Sequence, residues 1–377
     1  MTTSDARRGR PDDATRNRSL RIACVYRRAD LSDVVVASMD YIRFLRMAAA
    51  LARRGHRVDV VVNRERTRPA MAAPLPEVAF RDARWHHYDV VKTFFHSGFE
   101  TLCAEGGSDH PFIISKLGSV VGREQTPGVH FYGSVREQLL RTQERIAERS
   151  RVVTVLTTPN AVLWRRTHGG PSHLMEVPTG VDADLPPLGP NPYPALGVEE
   201  PVVLFAGNLY SLTDQPEVNR QWQARLNQIG RALRGAGLRL VAVGPGVTDR
   251  LDLDAVLHAG TVPIQEFWDW QRHAAVGVVL AHGAEQDNES SKIYYYLRTA
   301  LPVVCERPVP NAGLIAETGH GTLVDYGDVH ALAGAAATLA AAPPPANGVS
   351  EYMVRQHSWD ARAALYDPVL ASVRRAG

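Results

Sequence analysis

Short apolar runs alternate with amphipathic stretches along most of the chain. Residues 20–26 form the first apolar run, residues 38–53 have apolar side chains at helical spacing, and residues 57–62 form the next run. Runs that are apolar on both faces are typical of buried parallel strands, and a period near 3.6 residues is typical of helices. The alternation predicts β-α-β units and therefore an α/β fold.

A second series of the same kind follows a stretch rich in proline and glycine at residues 186–197. Two such series, separated by a segment of linker composition, predict two Rossmann-like domains with a cleft between them. The predicted organisation is a disordered tail at 1–18, a first Rossmann-like domain at 19–183, a linker at 184–199, a second Rossmann-like domain at 200–346, and a C-terminal segment at 347–377 whose helix crosses back to the first domain.

The segment 288–302 follows a predicted strand at 276–280 and has the clearest chemical signal in the chain. Ser290 and Ser291 suit the N-cap of a helix, and Pro302 prevents that helix from continuing. Lys292 then falls in the first turn, where unpaired N–H groups and the helix dipole already favour an anion. The pattern predicts a phosphate site, although a solvated lysine at a helix end would give the same pattern.

Glycines follow two other predicted strands of the second series. Gly207 and Asn208 come directly after the run 202–206, and Gly244 follows the run 238–243. A residue without Cβ at a strand end lets a phosphate or a ring approach the backbone. Tight turns alone also require glycine at such places, so both explanations stay open.

The same region resembles the donor-binding helix of GT-B glycosyltransferases of family four. The resemblance is carried by the following residues: Ser291-Lys292-Ile293, Tyr296-Leu297 and Ala300-Leu301-Pro302-Val303-Val304, together with the turn at 176–182, which resembles the one that closes the first domain in that family. The family usually has a ribose-binding glutamate where this chain has Tyr295. The resemblance implies a GT-B fold, a nucleotide-sugar donor bound by the second domain, and an acceptor bound by the first.

Candidate site residues follow from the helix, the glycine turns and the resemblance. The donor-binding candidates are Gly207, Asn208, Gly244, Val262, Ser290, Ser291, Lys292 and Tyr295, and the catalytic candidates are Asp287, Glu289, His130 and Asp40. Asp287 and Glu289 belong to an acidic loop that could bind hydroxyl groups of the donor sugar. The resemblance implies retention of anomeric configuration. An inverting transfer would instead need a general base in the first domain, for which His130 and Asp40 are candidates beside Asp30 and Glu124.

Composition excludes several other classes of protein. The 377 residues carry a formal net charge of +2 and three widely spaced cysteines, Cys24, Cys103 and Cys305. This charge is too small to indicate nucleic acid, no apolar run suggests a transmembrane segment, and the cysteines suit a reducing cytoplasm. The first strand is not followed by Gly-x-Gly-x-x-Gly, which disfavours a dinucleotide-dependent dehydrogenase, and no cofactor is predicted.

Asp252-Leu253-Asp254 has the spacing of the manganese motif of the other glycosyltransferase fold. That motif requires the end of a buried strand, whereas Asp252 and Asp254 precede residues that we predict to begin a helix. Acidic side chains stabilise the first turn of a helix, so their presence there does not indicate a metal site. No metal is therefore predicted, because Lys292 and the helix amides can bind a diphosphate without one.

The leading prediction is a metal-independent glycosyltransferase that uses a UDP, GDP or TDP sugar and a small-molecule, glycan or lipid-linked acceptor. A hydrolysing nucleotide-sugar 2-epimerase needs carboxylates and histidines around the sugar, and the histidines of this chain are scattered. The other alternative is a non-catalytic protein that binds a nucleotide-sugar. The observation in its favour is Tyr295, which stands where the family usually has a glutamate. We expect Lys292 to be exposed to the cleft, so that Lys292→Ala and Arg298→Ala proteins have equal melting temperatures.

Overall fold

The computed structural model describes residues 19–26, 39–62, 75–123, 135–170, 173–209, 216–346 and 348–373. Within these ranges, the backbone forms two parallel sheets, of seven and six strands. No helix in the same ranges is both long enough and apolar enough to cross a bilayer.

The first sheet is built by the N-terminal half of the chain. Its strands are β1 Arg21–Val25, β2 Arg57–Val62, β3 Glu77–Ala79, β4 Val90–Phe94, β5 Ile113–Lys116, β6 Val152–Val155 and β7 His173–Glu176. They pair in the order β3-β2-β1-β4-β5-β6-β7, so the strand order reverses between β1 and β4. The helices between them are α1 Met39–Arg53, α2 Phe95–Ala104, α3 Arg136–Arg149 and α4 Thr158–His168.

The second sheet repeats this plan. Its strands are β8 Val202–Ala206, β9 Arg239–Val243, β10 Val256–His258, β11 Val276–Val279, β12 Val303–Glu306 and β13 Gly321–Val324. They pair in the order β10-β9-β8-β11-β12-β13, so the order reverses between β8 and β11. In open α/β sheets, ligands bind outside the carboxyl ends of the strands at this reversal. The accompanying helices are α5 Pro216–Gly235, α6 Ile264–Arg272, α7 Ser291–Arg298, α8 Gly313–Thr318 and α9 Val329–Ala341.

Helices cover both faces of each sheet because the strands are apolar on both sides. All five residues of β4 are buried, for example, and so are all four residues of β11. Two separate apolar clusters flank the first sheet and two flank the second. The predicted fold class, two Rossmann-like domains, is therefore confirmed.

One local prediction was wrong. The segment with Asp252 and Asp254 does not begin a helix but forms a turn that leads into the edge strand β10. The Asp252 carboxylate accepts a hydrogen bond from the Asp254 N–H at 3.2 Å and one from the Arg231 guanidinium at 2.9 Å. These bonds stabilise the turn, because an aspartate side chain can bond the backbone two residues further on.

Three helices end the chain, and they contact both sheets. They are α10 Val349–His357, α11 Trp359–Ala364 and α12 Asp367–Val373. Met353 of α10 belongs to an apolar cluster of the second sheet, whereas Trp359, Tyr366 and Leu370 belong to a cluster of the first. The domain boundaries given above stay predictions.

Candidate functional site

Helix α7 begins at the carboxyl edge of the second sheet, beside the reversal of strand order. Ser290 has the extended conformation of an N-cap residue, and the helix runs from Ser291 to Arg298. Lys292 therefore lies in its first turn. The reversal between β8 and β11 brings this helix end close to Gly207, which follows β8.

Lys292 is partly buried. Its ammonium lies 5.2 Å from the centre of the Phe205 ring, and a Cβ placed on Gly207 would come within 2.9 Å of its Nζ atom. Burial lowers the pKa of Lys292 to about 8. The described residues provide this ammonium with no hydrogen bond and no ion pair. Lys292 is less exposed than expected, because its stem packs against the end of β8.

Gly207 and Gly244 form the backbone surface next to this ammonium. The Gly207 N–H donates to the Val243 carbonyl at 2.8 Å, and the Gly244 N–H donates to the Gly260 carbonyl at 2.8 Å. Gly244 has φ +142°, and a Cβ there would lie 2.1 Å from the Gly207 carbonyl oxygen. Only glycine fits at position 244, because both the backbone angle and the close approach exclude a side chain.

Gly207→Ala is expected to reduce donor binding about 10-fold with little change in the free energy of unfolding. Gly207 has an ordinary φ, and the new methyl group would meet the Lys292 Cε atom at 2.7 Å. The end of a flexible lysine can move away at low cost, but the ammonium then leaves its place. Titration calorimetry with a nucleoside diphosphate, beside a thermal melt, checks this. Unchanged affinity would show that the position of the ammonium does not matter.

The three consecutive tyrosines of α7 have three different environments. The Tyr296 hydroxyl accepts from the Ala206 N–H at 2.9 Å and donates to the Leu204 carbonyl at 3.1 Å, which fixes α7 to β8. The Tyr294 hydroxyl donates to Glu289 at 3.0 Å. Tyr295 is buried, and its ring lies 5.4 Å from that of Trp268. A donor-binding role for Tyr295 stays a prediction.

Glu289 connects α7 to the first domain. One carboxylate oxygen accepts from the Thr179 N–H at 2.7 Å, and the other accepts from the Tyr294 hydroxyl. The neighbouring Ser290 exchanges two backbone hydrogen bonds with the Asn311 side chain, at 2.8 and 2.9 Å. The Ser290 hydroxyl is buried and has no hydrogen-bond partner in the described part of the chain. A buried unpaired hydroxyl beside Lys292 is suited to a polar ligand.

The loop before α7 is held by loops of the first sheet. The Asp287 carbonyl accepts from the Thr157 hydroxyl and from the Asn160 amide, each at 2.6 Å. The Asn288 amide donates to the Ser119 hydroxyl at 2.8 Å. All of these loops leave the carboxyl ends of their strands, so the carboxyl edges of the two sheets face each other here. Burial, and then the nearby Glu285, raise the pKa of the Asp287 carboxyl.

The remaining candidates are placed as follows. Asn208 follows Gly207 at the end of β8, Ser291 is the first residue of α7, and Val262 is buried just before α6. His130, Asp30 and Glu124 lie outside the described residues, as does the side chain of Asp40. Ser119, Thr157 and Asn160 were not predicted, since a single serine, threonine or asparagine after a strand is a weak signal.

Arg298→Ala is expected to destabilise the protein by about 2 kcal/mol, contrary to the equal melting temperatures predicted above. The Arg298 guanidinium is buried and donates to the carbonyls of Asp182 and Ala183, at 2.8 and 2.6 Å, and to the Ser350 hydroxyl at 2.5 Å. Its loss leaves those carbonyls unpaired. Urea unfolding measures the change, and a midpoint equal to that of the wild type would contradict it.

Comparisons with known proteins add to this geometry. A scan against family models found no match, and neither did a search of the curated proteins. Among solved structures, sucrose-phosphate synthase from Thermosynechococcus elongatus has a TM-score of 0.66 at 16% identity, covering 96% of this chain and 100% of its own.

Two further neighbours have the same layout. Anabaena HepE, in complex with UDP and glucose, has a TM-score of 0.66 at 13% identity and covers 94% of this chain and 100% of its own. AviGT4, a glycosyltransferase involved in avilamycin A biosynthesis, has a TM-score of 0.59 at 18% identity and covers 95% of this chain and 98% of its own. These neighbours are of the GT-B type, so the predicted GT-B fold is confirmed.

Proposed function

We propose that this protein is a glycosyltransferase that moves a sugar, a hexose or a related one, from a nucleotide-sugar donor to an acceptor without a metal ion. The observation that carries the proposal is the Lys292 ammonium at the N-terminus of α7, which is partly buried and has no anion beside it among the described residues. A partly desolvated cation without a partner is unfavourable, and a bound diphosphate removes that cost. A UDP, GDP or TDP sugar supplies this anion.

The proposed chemistry is stabilisation of the leaving group. When the bond between the sugar C1 and the diphosphate oxygen breaks, negative charge develops on that oxygen. Lys292 and the free N–H groups of α7 stabilise this charge. The neighbour HepE has been solved with UDP and glucose, which supports a nucleotide-sugar ligand for a site of this architecture.

The donor sugar is assigned to the loop with Asp287. Its carboxyl is half-buried and close to the start of α7, and carboxylates bind sugar hydroxyls through charge-assisted hydrogen bonds. Both oxygens of Glu289 already accept hydrogen bonds, so Glu289 orients α7 and the first domain. The acceptor lies against the first domain. It is a small molecule, a glycan or a lipid-linked sugar.

Metal independence is proposed because the Asp-x-Asp motif at 252–254 is used otherwise. Asp252 is paired with Arg231 and closes a turn at the edge of the second sheet, at the strand farthest from β11 on that side. Activity should therefore survive EDTA. A requirement restored by manganese alone would overturn this part of the proposal.

A ligand panel followed by a turnover assay tests the function. Thermal melts with UDP, GDP, TDP, CMP and NAD should single out one nucleoside diphosphate, since ligand at 100 times its dissociation constant adds about 2.7 kcal/mol. Radiolabelled sugar nucleotides of that diphosphate, with and without acceptor, then distinguish transfer, epimerisation and binding without turnover. Lack of a response to every nucleoside diphosphate would contradict the proposal.

A further inference from the structure

A buried amide, that of Asn160, links the loop between β11 and α7, called the donor loop below, to the first domain. Asn160 is 1% exposed and lies in the first turn of α4, after β6. Its Nδ2 group donates to the Asp287 carbonyl at 2.6 Å and to the Asn288 side-chain oxygen at 3.2 Å. Its Oδ1 atom accepts from the Val120 N–H at 3.1 Å. The amide oxygen and the amide nitrogen are thus both hydrogen-bonded, and the nitrogen donates to residues of the second domain.

This contact between the domains is polar throughout. Thr157 and Ser119 add hydrogen bonds to Asp287 and Asn288, so hydroxyl and amide groups meet carbonyl and amide groups. Such groups are well solvated when separated, whereas an apolar contact would resist opening. A contact of this kind can form and break as the domains close and open. The Asp287 carbonyl therefore has its hydrogen bonds from Thr157 and Asn160 only while the first domain is docked.

We propose that Asn160 is a positioning residue, which places the Asp287 carboxylate on the donor sugar only in the closed arrangement of the domains. This inference deepens the proposed function and rests on it. Asn160 bonds the Asp287 carbonyl, and the carboxylate is attached to the same residue, so a shift of the backbone moves the carboxylate with it. Lys292 and the Gly207 turn belong wholly to the second domain. Diphosphate binding should therefore not depend on Asn160, whereas the sugar step should.

Asn160→Asp is the sharpest probe, because aspartate has the same shape and keeps the acceptor for Val120 but loses the N–H groups. We expect kcat/KM for donor turnover to fall about 10- to 100-fold, since misplacement by 1 Å can cost about 100-fold. The dissociation constant of the bare nucleoside diphosphate, measured for UDP, GDP and TDP, should change less than about 3-fold. Asn160→Leu removes the same N–H groups without adding charge, together with the acceptor for Val120, and should agree.

The matched control is Asn227→Asp. Asn227 is also a buried asparagine that holds a loop, since it donates to the Arg250 carbonyl at 2.8 Å and accepts from the Asp252 N–H at 2.9 Å. It lies on α5, away from the donor loop. A similar loss of thermal stability with full donor turnover is expected for this variant, and an equal loss of turnover would overturn the proposal.

A double-mutant cycle with Asp287→Ala separates positioning from a general structural effect. If Asn160 acts through the Asp287 carboxylate, Asn160→Asp should have little further effect once that carboxylate is gone. Additive losses would overturn the inference. If the wild-type protein neither binds any of the three diphosphates nor turns over their glucose conjugates, the proposed function itself fails, which is a different result.

Discussion

Lys292→Met should lower kcat/KM for the donor by about 10- to 150-fold while leaving the protein folded. Methionine keeps most of the lysine stem, so the packing against Gly207 and Phe205 remains and only the ammonium is lost. A charge-assisted hydrogen bond to the diphosphate is worth about 1.5–3 kcal/mol, which sets the size of the effect. Initial rates of donor turnover, with calorimetric titration of the diphosphate, measure it.

The chain provides a matched control for this substitution. Lys116→Met makes the same change at a buried lysine in β5 of the first sheet, whose ammonium donates to the Val177 carbonyl. Donor affinity should be unchanged in this variant, because Lys116 belongs to the opposite domain. If both variants bind the diphosphate as the wild type does, the phosphate assignment for α7 fails.

Diphosphate affinity should also fall as the pH rises through about 8, because burial lowers the pKa of Lys292 to about 8 and only the protonated form attracts an anion. In the Lys292→Met protein, diphosphate affinity should no longer fall with rising pH. Affinity that stays constant from pH 7 to 9 in the wild type would show that the charge of Lys292 is not used.

The alternation of apolar runs and helices predicted the fold because parallel strands buried on both faces are nearly continuous in apolar residues. The sequence also predicted the start of α7 after Ser290 and its end before Pro302. Such local patterns did not predict contacts between residues that are far apart in sequence. The bond from Asn160 to Asp287 spans 127 positions, and neither residue has a neighbour in sequence that indicates the other.

The partial burial of Lys292 was not predicted, for a related reason. A lysine in a polar loop that leads into a helix is usually solvated, and its enclosure depends on Gly207, which comes from a different β-α unit. The same holds for Arg298, whose partners at 182 and 183 lie 116 and 115 positions away. Local sequence patterns predict the backbone conformation at this site well. They do not indicate which side chains from distant positions come into contact.

Lys92 is a fully buried cation of the first sheet, and it lies under the C-terminal helices. It is 1% exposed, its ammonium donates to the Tyr366 hydroxyl at 2.8 Å, and it lies 4.1 Å from the centre of that ring. Burial lowers its pKa to about 7, with Cys24 raising it and Lys116 lowering it further. Between the folded value and the ordinary value near 10.5, the unfolded chain holds a proton that the folded chain does not.

The free energy of unfolding should therefore increase between pH 7 and 8.5, by about 1.5 kcal/mol from Lys92 alone, because stability rises with pH wherever the unfolded state binds more protons. The lowered pKa of Lys292 also makes the free energy of unfolding increase with pH. The raised pKa of Cys24 acts in the opposite direction, but only above about pH 9, where a free thiol would ionise.

Lys92→Met should remove most of this dependence and stabilise the protein at pH 7 by about 2–4 kcal/mol, since the cost of enclosing a cation is larger than the one hydrogen bond that is lost. Urea unfolding at pH 7.0, 7.75 and 8.5 measures both effects. The control Arg53→Met removes an exposed cation paired with Asp360 on α11 and should leave the slope unchanged. A Lys92→Met protein that is less stable than the wild type at pH 7 would show that the Tyr366 contact outweighs burial, and that this lysine fastens the C-terminal helices to the first sheet.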